Sequence, residues 1–292
     1  MNIGFIGTGS MGRAIIPLLI EAGHRVSAWN RSREALAALQ GVRVLTTPAA
    51  AFQEDVVISL LADDPAVRTV LLAPAILDSA DKGCIHIVMS TLSPPLMQEL
   101  QAIHHVNGVA LVAAPVFGVP GVAARGELNI MVAGSPTAIA TVQPLFDLLG
   151  KKTWRMGDDP VHASIAKIAG NMMITQAIQS LGDASALAGR HGLNPATFID
   201  LMTQTLFASP SYQRYGQNIV NGSFEPGFTL SLGLKDINLA IDAGHRVNLE
   251  LPAAQAVRAN MTAAIARGLG HKDWSIFATE TVAHSADGSD AP

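Results

Sequence analysis

The feature that most constrains the fold is a glycine-rich hexapeptide directly behind the first apolar segment. Asn2 to Ile6 is predicted as a short strand, and Gly7-Thr8-Gly9-Ser10-Met11-Gly12 follows at once and opens a predicted helix that ends near Ala22. Glycines at these three positions permit the tight turn and let the backbone approach a pyrophosphate, which then rests on the N-terminus of the helix. The hexapeptide alone is weak evidence, but between this strand and this helix it predicts a dinucleotide-binding site.

The second predicted strand, Arg25 to Trp29, indicates which dinucleotide the site prefers. In sites for NAD, an Asp or Glu usually follows this strand and binds the ribose 2′-hydroxyl. Here Asn30-Arg31-Ser32 follows, with a guanidinium and two small hydrogen-bonding groups that suit a 2′-phosphate. The alternative is that Arg31 is an ordinary surface residue at the start of the next helix. These residues predict NADP(H) rather than NAD(H) as the cofactor.

Strands and helices alternate through the first half of the chain. The further predicted strands are Val42 to Leu45, Val56 to Leu60, Cys84 to Met89, Ala110 to Ala113, Asn129 to Val132 and Thr153 to Met156. The helices between them begin at prolines, over Pro65 to Leu72, Pro94 to His104 and Pro136 to Leu148. This alternation is typical of an α/β fold with a doubly wound parallel sheet. Ligands of such sheets bind at the carboxyl ends of the strands, which here carry Leu61-Ala62-Asp63, Ser90-Thr91-Leu92 and Pro115-Val116-Phe117-Gly118.

The second half changes character, because only helices are predicted after the last strand. A long helix is predicted over Asp159 to Gly189, with Asp159 as its cap and either Gly189 or Gly192 as the residue that ends it. Further helices are predicted from Asn194-Pro195, over Gly233 to Ala243 and over Pro252 to Arg267. We therefore predict a nucleotide-binding Rossmann domain over 1–158, a helical substrate and oligomerisation domain over 159–282, and a flexible tail over 283–292.

The long helix carries a narrow polar stripe on an otherwise apolar surface. Lys167, Asn171 and Thr175 follow one another at intervals of four and therefore lie on one face. Burying an ammonium is costly, so Lys167 is expected to face a partner, a cleft or a ligand. The alternative is a structural lysine that reaches solvent or pairs with an acid.

Composition excludes several other classes of protein. The formal net charge of the 292 residues is -4, which gives no basic surface for nucleic acid or for an anionic membrane. The single cysteine, Cys84, excludes an internal disulfide, and no paired Cys or His residues supply the spacing of a metal site. No apolar run reaches the length of a membrane helix, and no targeting leader is recognisable before the first strand. A cytoplasmic location is expected.

Taken together, these residues resemble the β-hydroxyacid dehydrogenase family, which includes hydroxyisobutyrate dehydrogenases and glyoxylate or succinic semialdehyde reductases. The resemblance covers nearly the whole chain and rests on four motifs in the order of the family. They are the opening GFIGTGSMG, the Ser90-Thr91 loop with Pro94 beyond it, K-x-x-x-N at Lys167 and Asn171, and F-x-x-x-L-x-x-K-D-x-x-L-A over Phe228 to Ala240.

The resemblance implies an activity and roles for particular residues. It implies NADP(H)-linked hydride transfer, with Lys167 as the general acid or base and Asn171 orienting the substrate and the lysine. It places Leu61, Ala62, Thr91 and Lys235 beside the cofactor; for Lys235 a salt bridge to Asp236 or Asp242 is the alternative. It also implies a small-molecule substrate and a homodimer or homotetramer.

One motif departs from the pattern of the family, whose substrate loop is close to D-A-P-V-S-G-G. This chain has Ala113-Ala114-Pro115-Val116-Phe117-Gly118-Val119, so Phe117 replaces the serine that helps to hold a substrate carboxylate, and Val119 replaces a glycine. A carboxylate is therefore expected to bind less well here. The predicted substrate contacts are Ser90, Phe117, Gly118, Val119 and Tyr212. For Tyr212, ordinary packing is the alternative.

Two other functions remain open. Imine reductases share this architecture and the NADPH site; Phe117 and Val119 favour that activity, whereas Lys167 argues against it because imine reductases generally place another residue there. A non-catalytic NADP(H)-binding module is the alternative from a different class. The lysine and asparagine of the long helix argue against it, because a pure binder has no use for a buried ammonium.

Overall fold

A computed structural model describes residues 1–78 and 80–281. The tail predicted over 283–292 lies outside the described residues. The contacts divide the chain into two compact units, Met1–Lys167 and a second unit that begins at Ile168. No helix among the described residues is both long and apolar enough to cross a membrane.

The first unit contains a sheet of nine strands in the described residues. The strands are β1 (Asn2–Ile6), β2 (Arg25–Trp29), β3 (Arg43–Val44), β4 (Val56–Ser59), β5 (Ile85–Val88), β6 (Ala110–Ala113), β7 (Val116–Phe117), β8 (Leu128–Gly134) and β9 (Gly150–Gly157). The helices are α1 (Ser10–Glu21), α2 (Glu34–Ala37), α3 (Asp64–Leu71), α4 (Pro94–Val106), α5 (Pro120–Ala123) and α6 (Pro136–Leu149), with a 3-10 helix over Ala49–Gln53.

The sheet has the strand order of a doubly wound nucleotide-binding domain. The order is β3-β2-β1-β4-β5-β6, and each neighbouring pair in this series is parallel. The predicted Rossmann fold is therefore confirmed. Two strands differ from the prediction of a wholly parallel sheet: β8 runs antiparallel to β6 and β7, and β9, which pairs in parallel with β8, has the same reversed direction. Only ten residues separate β7 from β8, and a parallel crossover usually needs a dozen or more.

Apolar side chains cover both faces of this sheet. Successive strand residues point to opposite faces, so Phe5 and Ile58 belong to one buried cluster while Ile6 and Val57 belong to the other. The first cluster contains side chains of α1 and α6, and the second contains side chains of α3 and α4. Helices on both faces explain why the strands read as continuous apolar runs.

The second unit is helical, as the sequence predicts. Its elements are α7 (Pro160–Arg190, which begins in the first unit), α8 (Pro195–Gln204), α9 (Pro210–Asn221), α10 (Leu230–His245), α11 (Pro252–Ala266) and 3-10 helices over Leu269–His271 and Trp274–Thr279. α10 begins three residues before the predicted Gly233, because the Thr229 hydroxyl caps it by accepting the N–H of Leu232. α9 has the same kind of start, with Ser209 as its cap.

The long helix α7 begins and ends as predicted. The Asp159 carboxylate accepts the N–H of Val161 at 3.0 Å, which satisfies one of the donors at the helix start. At the other end Gly192 adopts a φ of 81°, and the N–H of Leu193 bonds to the carbonyl of Ala188 at 3.0 Å. Of the two glycines proposed for this position, Gly192 is thus the left-handed residue.

The first two turns of α7 belong to the first unit. Ala163 is fully buried in the second apolar cluster, and Val161 and Ala166 pack against that cluster. The compact units therefore divide after Lys167, whereas the sequence places the domain boundary at 158. The difference arises because the sequence pattern changes where the helices begin, while the contacts follow the packing of their first turns.

Candidate functional site

The turn between β1 and α1 has the geometry that close approach of a ligand requires. A Cβ on Gly7, whose φ is 98°, would lie 2.3 Å from the carbonyl oxygen of Leu60, and a Cβ on Gly12 would lie 2.4 Å from that of Gly7. These two glycines are therefore required by the fold itself. A Cβ on Gly9 would meet no atom within 4 Å. Gly9 thus leaves open space in front of the start of α1.

Polar groups at this turn lack protein partners in a way that fits a pyrophosphate. Gly9 precedes α1 and provides no side-chain cap for its first N–H groups. The hydroxyl of Thr8 is buried and makes no hydrogen bond with the described residues. An uncapped helix start, a buried hydroxyl and an open glycine face together suit the phosphates of a dinucleotide. Ser10 and Met11, the other two residues of the predicted glycine-rich motif, are the first two residues of α1.

The loop after β2 is fixed to this turn by Asn30. The Asn30 Oδ1 accepts the N–H of Thr8 at 2.9 Å, and its Nδ2 donates to the backbone oxygen of Ser32 at 2.9 Å. The Ser32 hydroxyl donates to the Glu34 carboxylate at 2.5 Å. This hydrogen bond is the main reason why the pKa of Glu34 is lowered. Arg31 is exposed on the same loop. Glu34 is not among the residues predicted for this site, although it follows the end of β2 by only a few residues.

The carboxyl ends of β4 and β5 are joined by two of the predicted residues. The N–H of Leu61 donates to the Oγ of Ser90 at 2.7 Å, and Ser90 is buried. Thr91 beside it is half-buried, and Ala62 is exposed. Parallel strands bring these residues to the same edge of the sheet as the glycine-rich turn. Ser90 thus has a structural contact, and its contact with a substrate stays a prediction.

Lys167 and Phe117 are in contact within the first unit. The Nζ of Lys167 lies 4.4 Å from the ring centroid of Phe117, a cation–π distance. Phe117 ends β7, which continues beyond the carboxyl end of β6 along the edge of β8. The next residue, Gly118, has a φ of 145°, and a Cβ there would lie 2.6 Å from Leu128. Val119, which precedes α5, is half-buried.

Asn171 and Lys235 meet at one carboxylate within the second unit. The Nδ2 of Asn171 donates to Oδ2 of Asp236 at 2.5 Å, and the Nζ of Lys235 lies 2.8 Å from Oδ1 of the same residue. Asn171 and Asp236 are buried, and Lys235 is half-buried. The proposed salt bridge between Lys235 and Asp236 is thus present. The contact between Asn171 and Asp236 was missed, because 65 residues separate the two in the chain.

Tyr212 lies in the second unit and packs against a neighbouring ring. Its ring stacks on that of Phe207 with 4.9 Å between centroids and 16° between planes. This contact is the ordinary packing that the sequence analysis gave as the alternative. A substrate contact through Tyr212 stays a prediction.

Comparisons with known proteins agree with this arrangement. The chain matches the family profile described as the NAD-binding domain of 6-phosphogluconate dehydrogenase over residues 2–157. It matches a second profile, NAD-binding of NADP-dependent 3-hydroxyisobutyrate dehydrogenase, over residues 162–279. Among curated proteins, the uncharacterized oxidoreductase YfjR of Bacillus subtilis is 36% identical over 94% of this chain and 98% of its own length.

Solved structures share the fold over almost the whole chain. A 3-hydroxyisobutyrate dehydrogenase of Mycobacterium tuberculosis, solved with L-serine, has a TM-score of 0.87 and 26% identity and covers 96% of this chain and 98% of its own. An imine reductase of Pseudomonas sp. has a TM-score of 0.62 at 18% identity over 94% of this chain and 97% of its own, which shows a common fold alone. The profiles and relatives show an oxidoreductase with a nicotinamide cofactor. The resemblance drawn from four sequence motifs is therefore confirmed, and the chain belongs to the β-hydroxyacid dehydrogenase family.

Proposed function

We propose that the chain is an NADP(H)-dependent dehydrogenase or reductase with Lys167 as its general acid and base. The observation that carries this proposal is the position of Lys167 beside Phe117, beyond the carboxyl end of β6. Because β1 and β6 run in the same direction, the glycine-rich turn and Lys167 lie at the same edge of the sheet. This is the edge at which ligands of doubly wound sheets bind.

The residues proposed to hold the cofactor divide by the part of it that they face. The turn Gly7-Thr8-Gly9-Ser10-Met11-Gly12 would hold the pyrophosphate. The loop Asn30-Arg31-Ser32 would face the 2′-phosphate, with the Arg31 guanidinium as its cation. Leu61, Ala62, Thr91 and Lys235 complete the proposed set. When bound, the cofactor supplies a hydride at C4 of its reduced nicotinamide or accepts one at the same atom.

In the proposed reduction, the ammonium of Lys167 donates a proton to the oxygen of the substrate carbonyl as the carbon is reduced. In the oxidation, the neutral amine removes the proton from the substrate hydroxyl, so the same nitrogen serves both directions. The ring of Phe117 holds the ammonium by its electron-rich face. We assign the orientation of the substrate to Asn171, whose own side chain is fixed by Asp236.

The proposed substrate is a hydroxy or carbonyl compound, and the loop after β6 favours the less polar members of this class. Phe117 and Val119 offer apolar surface where a carboxylate would need hydrogen-bond donors. The proposed substrate contacts are Ser90, Phe117, Gly118, Val119 and Tyr212. An aldehyde or ketone without a carboxylate beside the reacting carbon is thus the preferred candidate.

Replacing the lysine tests the proposal directly. Lys167→Met keeps a side chain of similar length but removes the ammonium group that would donate the proton. Lys151→Met, at an exposed position of β9, is the matched control. We expect Lys167→Met to bind NADPH within twofold of wild type while its turnover falls by about 10²–10⁴-fold. Turnover close to that of the Lys151→Met control would show that the proton comes from another residue.

A second candidate is an imine reductase, which the apolar character of Phe117 and Val119 favours. Assaying an aldehyde, an aldehyde acid and a cyclic imine side by side with NADPH distinguishes the two activities. Consumption of NADPH with the imine alone would replace the carbonyl substrate. Consumption with none of the three would favour the non-catalytic NADP(H)-binding module.

We propose a homodimer or homotetramer in the cytoplasm. The support for self-association is an exposed face of α7, on which Ile165, Met173 and Leu187 are 41%, 67% and 64% exposed. Large apolar side chains grouped on one helix face are typical of an interface. Light scattering of the purified chain would give its mass, and a monomer at micromolar concentration would contradict this part of the proposal.

A further inference from the structure

The loop that is proposed to face the 2′-phosphate contains a carboxylate. Glu34 lies 22 residues after Gly12, in the first turn of α2, and is exposed. Doubly wound sites for NAD place an acid about 20 residues after the last glycine, where it binds the ribose 2′-hydroxyl. Glu34 therefore occupies the part of the chain from which a nucleotide-binding domain reads the ribose.

The Ser32 hydroxyl is engaged by this carboxylate. A serine hydroxyl has one proton, and that of Ser32 is donated to Glu34 at 2.5 Å. The Asn30 side chain is also engaged, because its Oδ1 accepts from Thr8 and its Nδ2 donates to the backbone of Ser32. Of the three residues predicted to bind the phosphate, Arg31 is the one with an exposed cationic side chain. The loop as folded can thus offer the phosphate only part of its donors.

The charges of the loop oppose one another. Arg31 and Arg33 are exposed on either side of Ser32, and Glu34 follows directly. The Ser32 hydrogen bond lowers the pKa of Glu34, so the carboxylate is ionised at neutral pH. A 2′-phosphate carries up to about two negative charges at this pH. It would be attracted by the two guanidinium groups and repelled by the Glu34 carboxylate.

We propose that Glu34 sets the cofactor selectivity of this chain. Through Ser32 it keeps the loop suited to a ribose 2′-hydroxyl, and a 2′-phosphate binds only when the Ser32 hydroxyl turns away from Glu34 to donate to it. NAD(H) therefore remains a usable cofactor beside NADP(H). The inference rests on the NADP(H) dependence proposed above and extends it by naming the residue that limits the preference.

The test compares binding of the two reduced cofactors to the full chain. Kd values for NADPH and NADH are measured by nicotinamide fluorescence for wild type, Glu34→Gln and the control Glu21→Gln, which removes one charge at the far end of α1. We expect the ratio Kd(NADH)/Kd(NADPH) to rise about three- to tenfold in Glu34→Gln. In Glu21→Gln it should stay within twofold. An unchanged ratio in Glu34→Gln, or an equal rise in both variants, would overturn the inference.

A second comparison tests the part played by Ser32. If the gain depends on release of its hydroxyl, Glu34→Gln introduced into a Ser32→Ala background will raise the ratio by less than half as much. An equal gain in that background would show that Glu34 acts by charge alone and would overturn the role of Ser32. A wild-type chain that binds NADH more tightly than NADPH would overturn the proposed NADP(H) dependence. The inference on Glu34 is decided separately, from the change in the ratio.

Discussion

The Nζ of Lys167 lies 4.4 Å from the ring centroid of Phe117, and both residues belong to the first compact unit. A ring face attracts an ammonium through its electron-rich π system, so the contact can orient the Lys167 side chain. Such contacts contribute about 0.5–2 kcal/mol, depending on how far they are removed from water. We therefore propose a second role for Phe117, beside the substrate contact proposed above.

Removing the ring should lower activity more than affinity for the cofactor. Phe117→Leu keeps an apolar side chain but abolishes the cation–π contact, and Phe117→Tyr keeps the ring. We expect kcat/KM to fall about 2- to 30-fold in Phe117→Leu. In Phe117→Tyr it should stay within about threefold of wild type, with Kd for NADPH unchanged in both. Equal activity of the leucine variant and wild type would show that the contact does not matter in turnover.

Phe117 should also decide whether a carboxylate is accepted. Phe117→Ser introduces the residue that the family has at this position, and a hydrogen bond to a charged group contributes about 1.5–3 kcal/mol. We therefore expect kcat/KM for an aldehyde acid, relative to a neutral aldehyde of similar size, to rise by at least about tenfold. Val119→Ala is the control for a smaller side chain in the same loop. A similar rise in that control would indicate added space rather than a new hydrogen bond.

The sequence predicts those parts of the site that depend on local pattern. Gly7 and Gly12 are glycines because any Cβ there would collide with the backbone, and this requirement is visible as a motif. The cap at Asp159 is predictable for the same reason, since cap and helix are neighbours in the chain. Local rules of this kind predict the fold and the glycine-rich turn.

Contacts between residues far apart in the chain were not predictable in this way. The Asn171 amide reaches Asp236 across 65 residues, and nothing in the spacing of either motif indicates that they meet. The reversal of β8 likewise follows from the length of a connection rather than from the residues of the strand. Glu34 is a different case, because it lies only four residues after Asn30. It was not predicted, because Asn30 occupies the position at which the acid of an NAD site is usually found.

Asp236 should be essential for stability of the second unit. It is buried and is shared by Asn171 and Lys235. Removing one partner of a buried pair typically costs about 3–5 kcal/mol, because the remaining polar groups lose their bonds to this carboxylate. We expect Asp236→Ala to lower the free energy of unfolding in urea by this amount. Asp242→Ala, at an exposed position of the same helix, should change it by less than about 0.5 kcal/mol. Similar losses in both variants would contradict the role of Asp236.

Two buried histidines form a directed chain of hydrogen bonds. His104 Nδ1 contacts the carbonyl oxygen of Leu100 at 2.7 Å, which can only accept, so Nδ1 carries the proton. His104 Nε2 then accepts from His86 Nδ1 at 2.7 Å, and His86 Nε2 accepts from the Ser59 hydroxyl at 2.8 Å. A protonated ring could keep these contacts, because the Ser59 hydroxyl can turn and accept, so burial rather than the hydrogen bonds keeps both rings neutral. Burial lowers the pKa of His104 to about 4 and that of His86 well below its usual value.

The two buried histidines predict a loss of protein stability in weak acid. In the unfolded protein both histidines titrate near pH 6.5, so below that pH the unfolded state binds more protons than the folded state. The contribution of these two histidines to the free energy of unfolding should be constant above pH 7 and should fall between pH 6.5 and about 4, with a slope that approaches roughly 2.7 kcal/mol per pH unit for two protons. Urea unfolding at pH 7.5, 6 and 5 measures this slope.

The double variant His86→Leu/His104→Leu should flatten the dependence of stability on pH, whereas His191→Gln, at an exposed position, should not. A wild-type protein equally stable at pH 7.5 and 5 would show that the two rings are not held neutral by the fold.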